Sequence, residues 1–248
     1  MSRIYITGDT HGLIDVDQIR SFLRTEEAAT LTKDDYLIVA GDFGCCFFGN
    51  PQEGTSWYET LRSEGLLDQD EYVKEFWRRC PWTTLFVDGN HENHELLGSY
   101  PVSEWHGGKV HFIADDIIHL MRGQVFDIEG ARFFTMGGAD SVDKYHRTIG
   151  KTWWVEELPS KNEYDEAMSN LAENDMKVDY VITHCCGTSL LSQLSTYHMD
   201  SDELTQFFDH LEFDFGLEFK HWYFGHHHID RQLDDKHTCL YSKIIRIK

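Results

Sequence analysis

Five short runs of β-branched and aromatic residues punctuate the chain, each giving way to polar or glycine-bearing sequence. They are Ile4-Tyr5-Ile6, Tyr36-Leu37-Ile38-Val39, Thr84-Leu85-Phe86-Val87, Tyr180-Val181-Ile182 and Trp222-Tyr223-Phe224. Runs so short and so continuously apolar predict buried strands. Between the first two, Ile19, Phe22 and Leu23 fall on one helical face, which predicts a β-α-β unit. Trp57, Leu61, Tyr72, Phe76 and Trp77 recur at helical spacing, predicting a helical region from Trp57 to Arg79 that Pro81 stops. Further helices are predicted over Lys161 to Asn174, with Met168 and Leu171 inward, and near Asp202 to Leu211.

The pattern changes from Lys109 to Gly137. Val110 to Ile113, Ile117 to Met121, Gln124 to Ile128 and Arg132 to Met136 are short strand candidates, with Arg122-Gly123 and Glu129-Gly130 at tight turns. This spacing predicts an antiparallel meander that forms a second sheet. Gly137-Gly138 opens a polar stretch, Ala139 to Thr152, without a clear period, and Thr238 to Ile247 alternates as a final strand. No repeat, linker or low-complexity tract interrupts the chain. The expectation is one α/β domain over residues 1–248, a two-sheet β-sandwich flanked by helices, with its active site at the strand C-terminal ends.

Charge narrows the choice of partners. With 43 acidic against 22 basic residues the formal charge is -21, a field that repels long nucleic acid but leaves a small phosphorylated ligand open where cations reverse the local sign. Much of that excess acid reads simply as solubility. The six cysteines, Cys45, Cys46, Cys80, Cys185, Cys186 and Cys239, lack the spacing of a disulfide scaffold or a zinc pair, which predicts reduced thiols filling buried loops. The chain passes from Met1-Ser2-Arg3 straight into a strand, and no apolar run approaches the roughly 20 residues of a membrane span. A cytoplasmic protein without membrane contact is the expectation.

The chemistry lies where the five strands end. There the sequence reads Gly8-Asp9-Thr10-His11-Gly12, Gly41-Asp42-Phe43-Gly44, Gly89-Asn90-His91-Glu92, Thr183-His184 and Gly225-His226-His227-His228. Strands of one sheet deliver their C-terminal ends to a common edge, so these segments are expected to converge. A lone Gly-Asp is usually a turn and a lone histidine usually packing or surface. Five such segments, each at a strand end, instead predict a metal centre. A carboxylate has two oxygens, so it can bridge two cations held about 3.5–4 Å apart. Oxygens from Asp9, Asp42 and Asn90 with imidazoles from His11, His184, His226 and His228 favour Mn²⁺, with Fe, Zn²⁺ or Ni²⁺ as alternatives, over calcium. The neighbouring glycines are read as letting the backbone turn sharply and come close to the ions.

These blocks resemble those of the calcineurin-like metallophosphoesterase superfamily, D-x-H, G-D, G-N-H-[DE], H and G-H-x-H, from Asp9 to His228. The resemblance implies a sandwich of two sheets with helices outside. It implies Asp9, His11, Asp42 and His228 on one divalent ion, and Asp42, Asn90, His184 and His226 on a second, with Asp42 bridging. It implies that His91 is no ligand but touches the phosphate and helps to protonate the leaving oxygen. Asp42 and His91 are thus the expected catalytic pair, with a metal-bridging hydroxide as nucleophile. Protein Ser/Thr phosphatases of the superfamily carry G-D-x-x-D-R-G and an arginine before G-N-H-E. Here Gly41-Asp42-Phe43-Gly44-Cys45-Cys46 and Asp88 stand in those places. The resemblance is therefore to small bacterial or phage-type phosphoesterases, and a phosphodiesterase or small-molecule phosphatase is expected before a phosphoprotein phosphatase.

Substrate contacts are expected from Asn90, His91 and the polar stretch after Gly137-Gly138, where Lys144 and Arg147 are candidates to hold a phosphate; a solvated loop with surface ion pairs is the plain alternative. His227 is read as pointing away from its two ligand neighbours in an extended segment. His94, His106, His111, His119, His146, His198, His210, His221 and His237 receive no role, and Trp153-Trp154 is read as core or lid packing rather than a base platform. Two other functions compete: a nuclease on polymeric DNA or RNA, which the charge opposes, and a catalytically silent metal-binding interaction module, which would be expected to have lost His91, His226 or His228.

Overall fold

The structure is a computed structural model that describes residues 2–49, 51–194 and 201–248; His198 lies outside them. Its strands are β1 (Ile4–Thr7), β2 (Tyr36–Ala40), β3 (Thr83–Val87), β4 (Val102–Trp105), β5 (Gly108–Ala114), β6 (Ile117–Leu120), β7 (Gln124–Ile128), β8 (Ala131–Met136), β9 (Tyr180–Thr183), β10 (His221–Phe224), β11 (Arg231–Gln232), β12 (His237–Cys239) and β13 (Ile245–Arg246). The helices are α1 (Asp17–Phe22), α2 (Ser56–Glu64), α3 (Gln69–Arg78), α4 (His94–Gly98), α5 (Lys161–Glu173), α6 (Thr188–Leu194) and α7 (Glu203–Asp209).

Two mixed sheets result. One runs β13-β1-β2-β3-β6-β5-β4 and the other β11-β12-β10-β9-β8-β7. In the first, β1, β2, β3 and β6 are parallel neighbours; in the second, β12, β10, β9 and β8 are. Alternation along each strand divides its side chains between two environments. Ile4, Ile6, Ile38, Leu85 and Val87 of the first sheet meet Phe126, Phe133, Ile182 and Tyr223 of the second in a core between the sheets. Tyr5, Leu37, Val39 and Phe86 face outward onto Ile19, Val73 and Trp77. Phe134, Val181, Trp222 and Phe224 face the opposite way onto Ala167, Leu171, Leu204 and Phe208. Helices thus cover both outer faces of a sandwich, the expected α/β architecture.

Four expectations need correction. The meander does not form one sheet: β5 and β6 join the first, where β6 pairs parallel with β3 (Thr84 opposite Ile117), and only β7 and β8 belong to the second. The chain crosses between sheets at Met121-Arg122-Gly123, so Leu120 and Phe126 enter the inter-sheet core from opposite sides. The helical region from 57 to 79 is two helices, broken where Gly65 takes a left-handed φ of 72° and Arg62 and Leu61 cap through their carbonyls. The tail is also divided, β12 lying in one sheet and β13 in the other. Asp230 holds the turn between them, accepting from the backbone N–H groups of Tyr241, Ser242 and Lys243. Finally, the five ligand-bearing strands do not share a sheet: β1, β2 and β3 lie in the first, β9 and β10 in the second. Their ends converge because the sheets are stacked face to face.

Candidate metal centre and its surroundings

The loops after β1, β2, β3, β9 and β10 bring their polar side chains into one cluster. Asp42, which is buried, stands at its middle: its Oδ2 lies 3.2 Å from His11 Nε2 and 3.4 Å from His184 Nε2. Asp9 Oδ2 lies 3.1 Å from His228 Nε2, and Asn90 Oδ1 lies 3.1 Å from His184 Nε2. The His226 ring sits 5.0 Å from that of His184, centroid to centroid. Ligating atoms of Asp9, His11 and His228, of Asp9, Asp42 and His184, and of His11, Asp42 and His91 each lie within 4.8 Å of one another. All seven expected ligands therefore meet, with His91 beside them.

Unusual backbone sets this geometry. His11, Asp42, His226 and His228 have φ of 43°, 46°, 67° and 50°, a left-handed conformation that side-chain-bearing residues adopt at a cost of about 1–3 kcal/mol. The Gly225-to-His228 segment is consequently not extended as expected. His227 nevertheless points elsewhere, its Nε2 3.8 Å from Cys186 Sγ. The glycines have a purpose beyond turning. A Cβ on Gly41, whose φ is 92°, would come within 2.0 Å of the His184 ring, and one on Gly89 within 2.0 Å of Asp42 Oδ1. Each glycine makes room for a ligand from another strand.

The histidines are oriented by acceptors behind them. His184 Nδ1 lies 2.9 Å from the Ala40 carbonyl oxygen, which can only accept, so the ring proton sits on Nδ1 and Nε2 is left to coordinate. His11 Nδ1 is held in the same way by Asp15, 2.8 Å away. Asn90 donates from Nδ2 to Ser141 Oγ at 3.0 Å, turning its Oδ1 toward the cluster. The buried Glu92 accepts from the N–H groups of Phe43 (2.7 Å) and Gly44 (3.3 Å) and clips the β2 and β3 loops together. Sequence reasoning missed Asp15, Ser141 and Glu92. Glu92 stands inside a recognised block, but nothing in its spacing assigns it this support.

Electrostatics test whether these residues suit cations. Burial pushes the Asp42 carboxyl up, but His184 and His11 outweigh it and hold the group well below the usual carboxylate range. Burial likewise opposes charge on His184, yet Asp42 and Asp9 draw positive charge to it and raise it to about 10, so a divalent ion would take the place of its Nε2 proton. The same negative potential would attract a divalent ion. His226 is driven well below the imidazole range by burial and by His184 and His227, which keeps it neutral as a ligand must be. Asp9 Oδ2 is buried beside His228 Nε2 and keeps lone-pair capacity toward the cluster. These features fit a pair of divalent ions.

Around the cluster the expected substrate contacts divide. Arg147 Nη2 lies 3.0 Å from His91 Nε2, while Asp143 grips the guanidinium at 2.8 Å. Lys144 instead pairs with Asp140 at 2.7 Å. His91 is fixed by its own N–H, which donates to Asp42 Oδ1 at 2.7 Å. Its pKa lies below the ordinary imidazole value, first through burial, with Asp42 opposing and Arg147 adding to the shift. Asp88, where the phosphatase pattern has arginine, turns away and accepts from Arg122 Nε at 2.8 Å; His119 Nε2 lies 3.1 Å from its other oxygen. Trp154 is buried against Phe47, and the six cysteines are buried and free.

Residues 2–230 match the calcineurin-like phosphoesterase family. The chain belongs to that family. Among curated proteins it is 26% identical over 145 residues to a lariat debranching enzyme of Schizosaccharomyces pombe, covering 58% of this chain and 27% of that one. It is 27% identical over 142 residues to a lariat debranching enzyme of Drosophila pseudoobscura pseudoobscura, covering 55% and 23%. The chain thus matches about a quarter of the length of these relatives. Among solved structures, a phosphopantetheinyl hydrolase from Mycobacterium tuberculosis aligns with a TM-score of 0.43 and 14% identity over 96% of this chain and 88% of that one. Calcineurin-like phosphoesterases use a divalent metal pair, and the cluster above is where this member offers ligands for it. Among the described residues no helix is long and apolar enough to cross a membrane.

Proposed function

We propose that this chain is a metal-dependent phosphodiesterase, one catalytic domain acting on a small phosphorylated substrate. The observation that carries the reading is the meeting of seven ligand side chains around Asp42 and Asp9, with His91 and Arg147 at their border. Asp9, His11, Asp42 and His228 would hold one ion and Asp42, Asn90, His184 and His226 the other, with Mn²⁺ favoured. Bound there, the pair supplies Lewis acidity that makes hydroxide available near neutral pH and neutralises phosphoryl charge.

The chain's own residues do the rest. Arg147 lies beside His91 Nε2 and can pair with a phosphoryl oxygen; Asp143 holds its guanidinium in place. Once Arg147 turns from His91 Nε2 to a phosphoryl oxygen, the protonated form of His91 can give its Nε2 proton to the departing oxygen and end as the neutral imidazole. A diester carries less charge than a monoester dianion, and it suits a border whose reaching cation is already shared with Asp143. The similarity to lariat debranching enzymes supports the diester side of this choice.

The test is turnover of bis-p-nitrophenyl phosphate and p-nitrophenyl phosphate by purified full chain. We expect the diester to be hydrolysed with Mn²⁺, chelation to abolish activity, and His91→Ala to lower kcat by roughly 10²–10⁴-fold at unchanged metal stoichiometry. Activity on neither ester with Mn²⁺, Fe²⁺, Zn²⁺ or Ni²⁺ would sink the proposal in favour of a silent module.

A further inference from the structure

Beside the metal-ligand cluster lies a cavity of about 350 Å³ with a quite different lining. His11 and His91 form its inner wall, so it opens directly onto the site. Its other walls are Phe47, Phe48, Leu66 and Val73, with the Gln69 amide among them. Ile14, 80% exposed, stands on the rim. A cavity of this size is at the lower end for small-molecule sites, which run about 300–1,000 Å³ and combine apolar walls with few polar groups.

The lining is fixed in place. Gln69 and Val73 lie on α3, and between them the buried Asp70 accepts three backbone hydrogen bonds, from Phe47 (3.1 Å), Phe48 (3.1 Å) and Gly49 (2.8 Å). That carboxylate ties the phenylalanine pair to the helix forming the facing wall. Asn93 Nδ2 adds a bond to the Phe47 carbonyl oxygen at 2.9 Å. The two phenyl rings stand nearly perpendicular, 77° apart with centroids 5.2 Å apart, and Phe47 is braced by Trp154. A charged phosphate gains nothing from such walls. A flat, uncharged group joined to a phosphate held at the cluster would gain both apolar burial and an aromatic face.

We propose that this cavity seats a nucleobase, so that the substrate is a nucleoside phosphoester with its phosphate at the metal ligands and its base against Phe47 and Phe48. This rests on the phosphodiesterase reading and assigns that site its substrate class. The phenyl faces supply stacking, which tolerates any base, and the Gln69 amide offers one donor and one acceptor to a base edge.

Calorimetric titration of the Mn²⁺-loaded full chain with thymidine 5′-phosphate, methyl phosphate and cyclohexylmethyl phosphate tests it. Thymidine 5′-phosphate is expected to bind about 5–100-fold more tightly than methyl phosphate and clearly more tightly than the cyclohexylmethyl ester. Phe48→Ala should bring the thymidine-to-methyl ratio to within about threefold of one. Phe48→Leu, which keeps apolar volume without a flat face, should also lose most of it and guards against misfolding of the alanine variant. Equal affinities for the thymidine and methyl compounds in the parent overturn the proposal. An equal gain from the cyclohexylmethyl ester overturns it too, pointing to an aliphatic occupant. Retained discrimination in a protein that hydrolyses no diester would overturn the phosphodiesterase reading and leave the base pocket standing.

Discussion

Glu157 shows how an acid behind the site responds to its surroundings. It is buried, Oε1 accepts no hydrogen bond, Oε2 accepts from the Ser141 N–H at 3.2 Å, and Arg147 stays 3.9 Å off. Burial is the largest influence and raises its pKa from 4.5 to about 7, although Ser141 and Arg147 pull the other way. The native state therefore keeps this proton over a range where the unfolded chain has released it. Its contribution to stability is full below about 4.5 and is lost as pH rises through about 7, a change of roughly 1–3 kcal/mol. Glu157→Gln has no proton to lose there. Melting curves should show the variant gaining on the parent between pH 5 and pH 8; parallel profiles would refute a buried, proton-holding Glu157.

At the scale of elements, the crossing from β6 to β7 is held by Arg122, which also donates from Nη2 to the Glu156 carbonyl oxygen at 2.8 Å. It thereby joins the end of β3 through Asp88, the crossover itself and the segment ahead of α5. Burial disfavours charge on Asp88, but Arg122 and His119 overcome it and hold the carboxyl far below its ordinary range. Arg122→Met leaves that carboxylate buried without its main partner, a loss of about 3–5 kcal/mol in urea unfolding. Adding Asp88→Asn should recover part of the loss. A single variant within 0.5 kcal/mol of the parent would show the pair to be dispensable.

The same crossing marks where the sequence becomes illegible. β1, β2, β3, β9 and β10 could be read because burial on both faces makes them continuously apolar. Arg122-Gly123 looks like any hairpin turn; what diverts the chain to another sheet is Asp88, over thirty residues earlier. β4 was missed because as an edge strand it is half exposed and carries no apolar run. The convergence of the candidate ligands was legible because coordination would demand particular side chains at the strand ends. Asp15, Ser141 and Glu92 were not, since many acceptors could serve behind a histidine, an amide or a loop. The Phe47-Phe48 pocket escaped notice because its walls are ordinary core residues until the fold sets them beside His11 and His91.

Over the whole molecule the formal charge of -21 acts at a distance. It repels a polyanion as it approaches, an effect screened beyond about 10 Å at 0.1 M salt. A dinucleotide carries too little charge to feel this strongly. KM for a single-stranded oligonucleotide should therefore fall as monovalent salt rises from roughly 20 to 200 mM, while KM for a dinucleotide changes little. Most proteins that grip nucleic acid show the opposite trend. A KM for the oligonucleotide that climbs with salt would mean that a local basic surface governs its capture.

Because Asp9, His11, Asp42 and Asn90 come from one sheet and His184, His226 and His228 from the other, neither layer alone would carry a complete set of donors for either of the two proposed ions. Each cation would fasten the two halves of the sandwich like a rivet through stacked plates. Slippage at the apolar seam would then loosen both rivets together, linking the grip on metal to the cohesion of the fold itself.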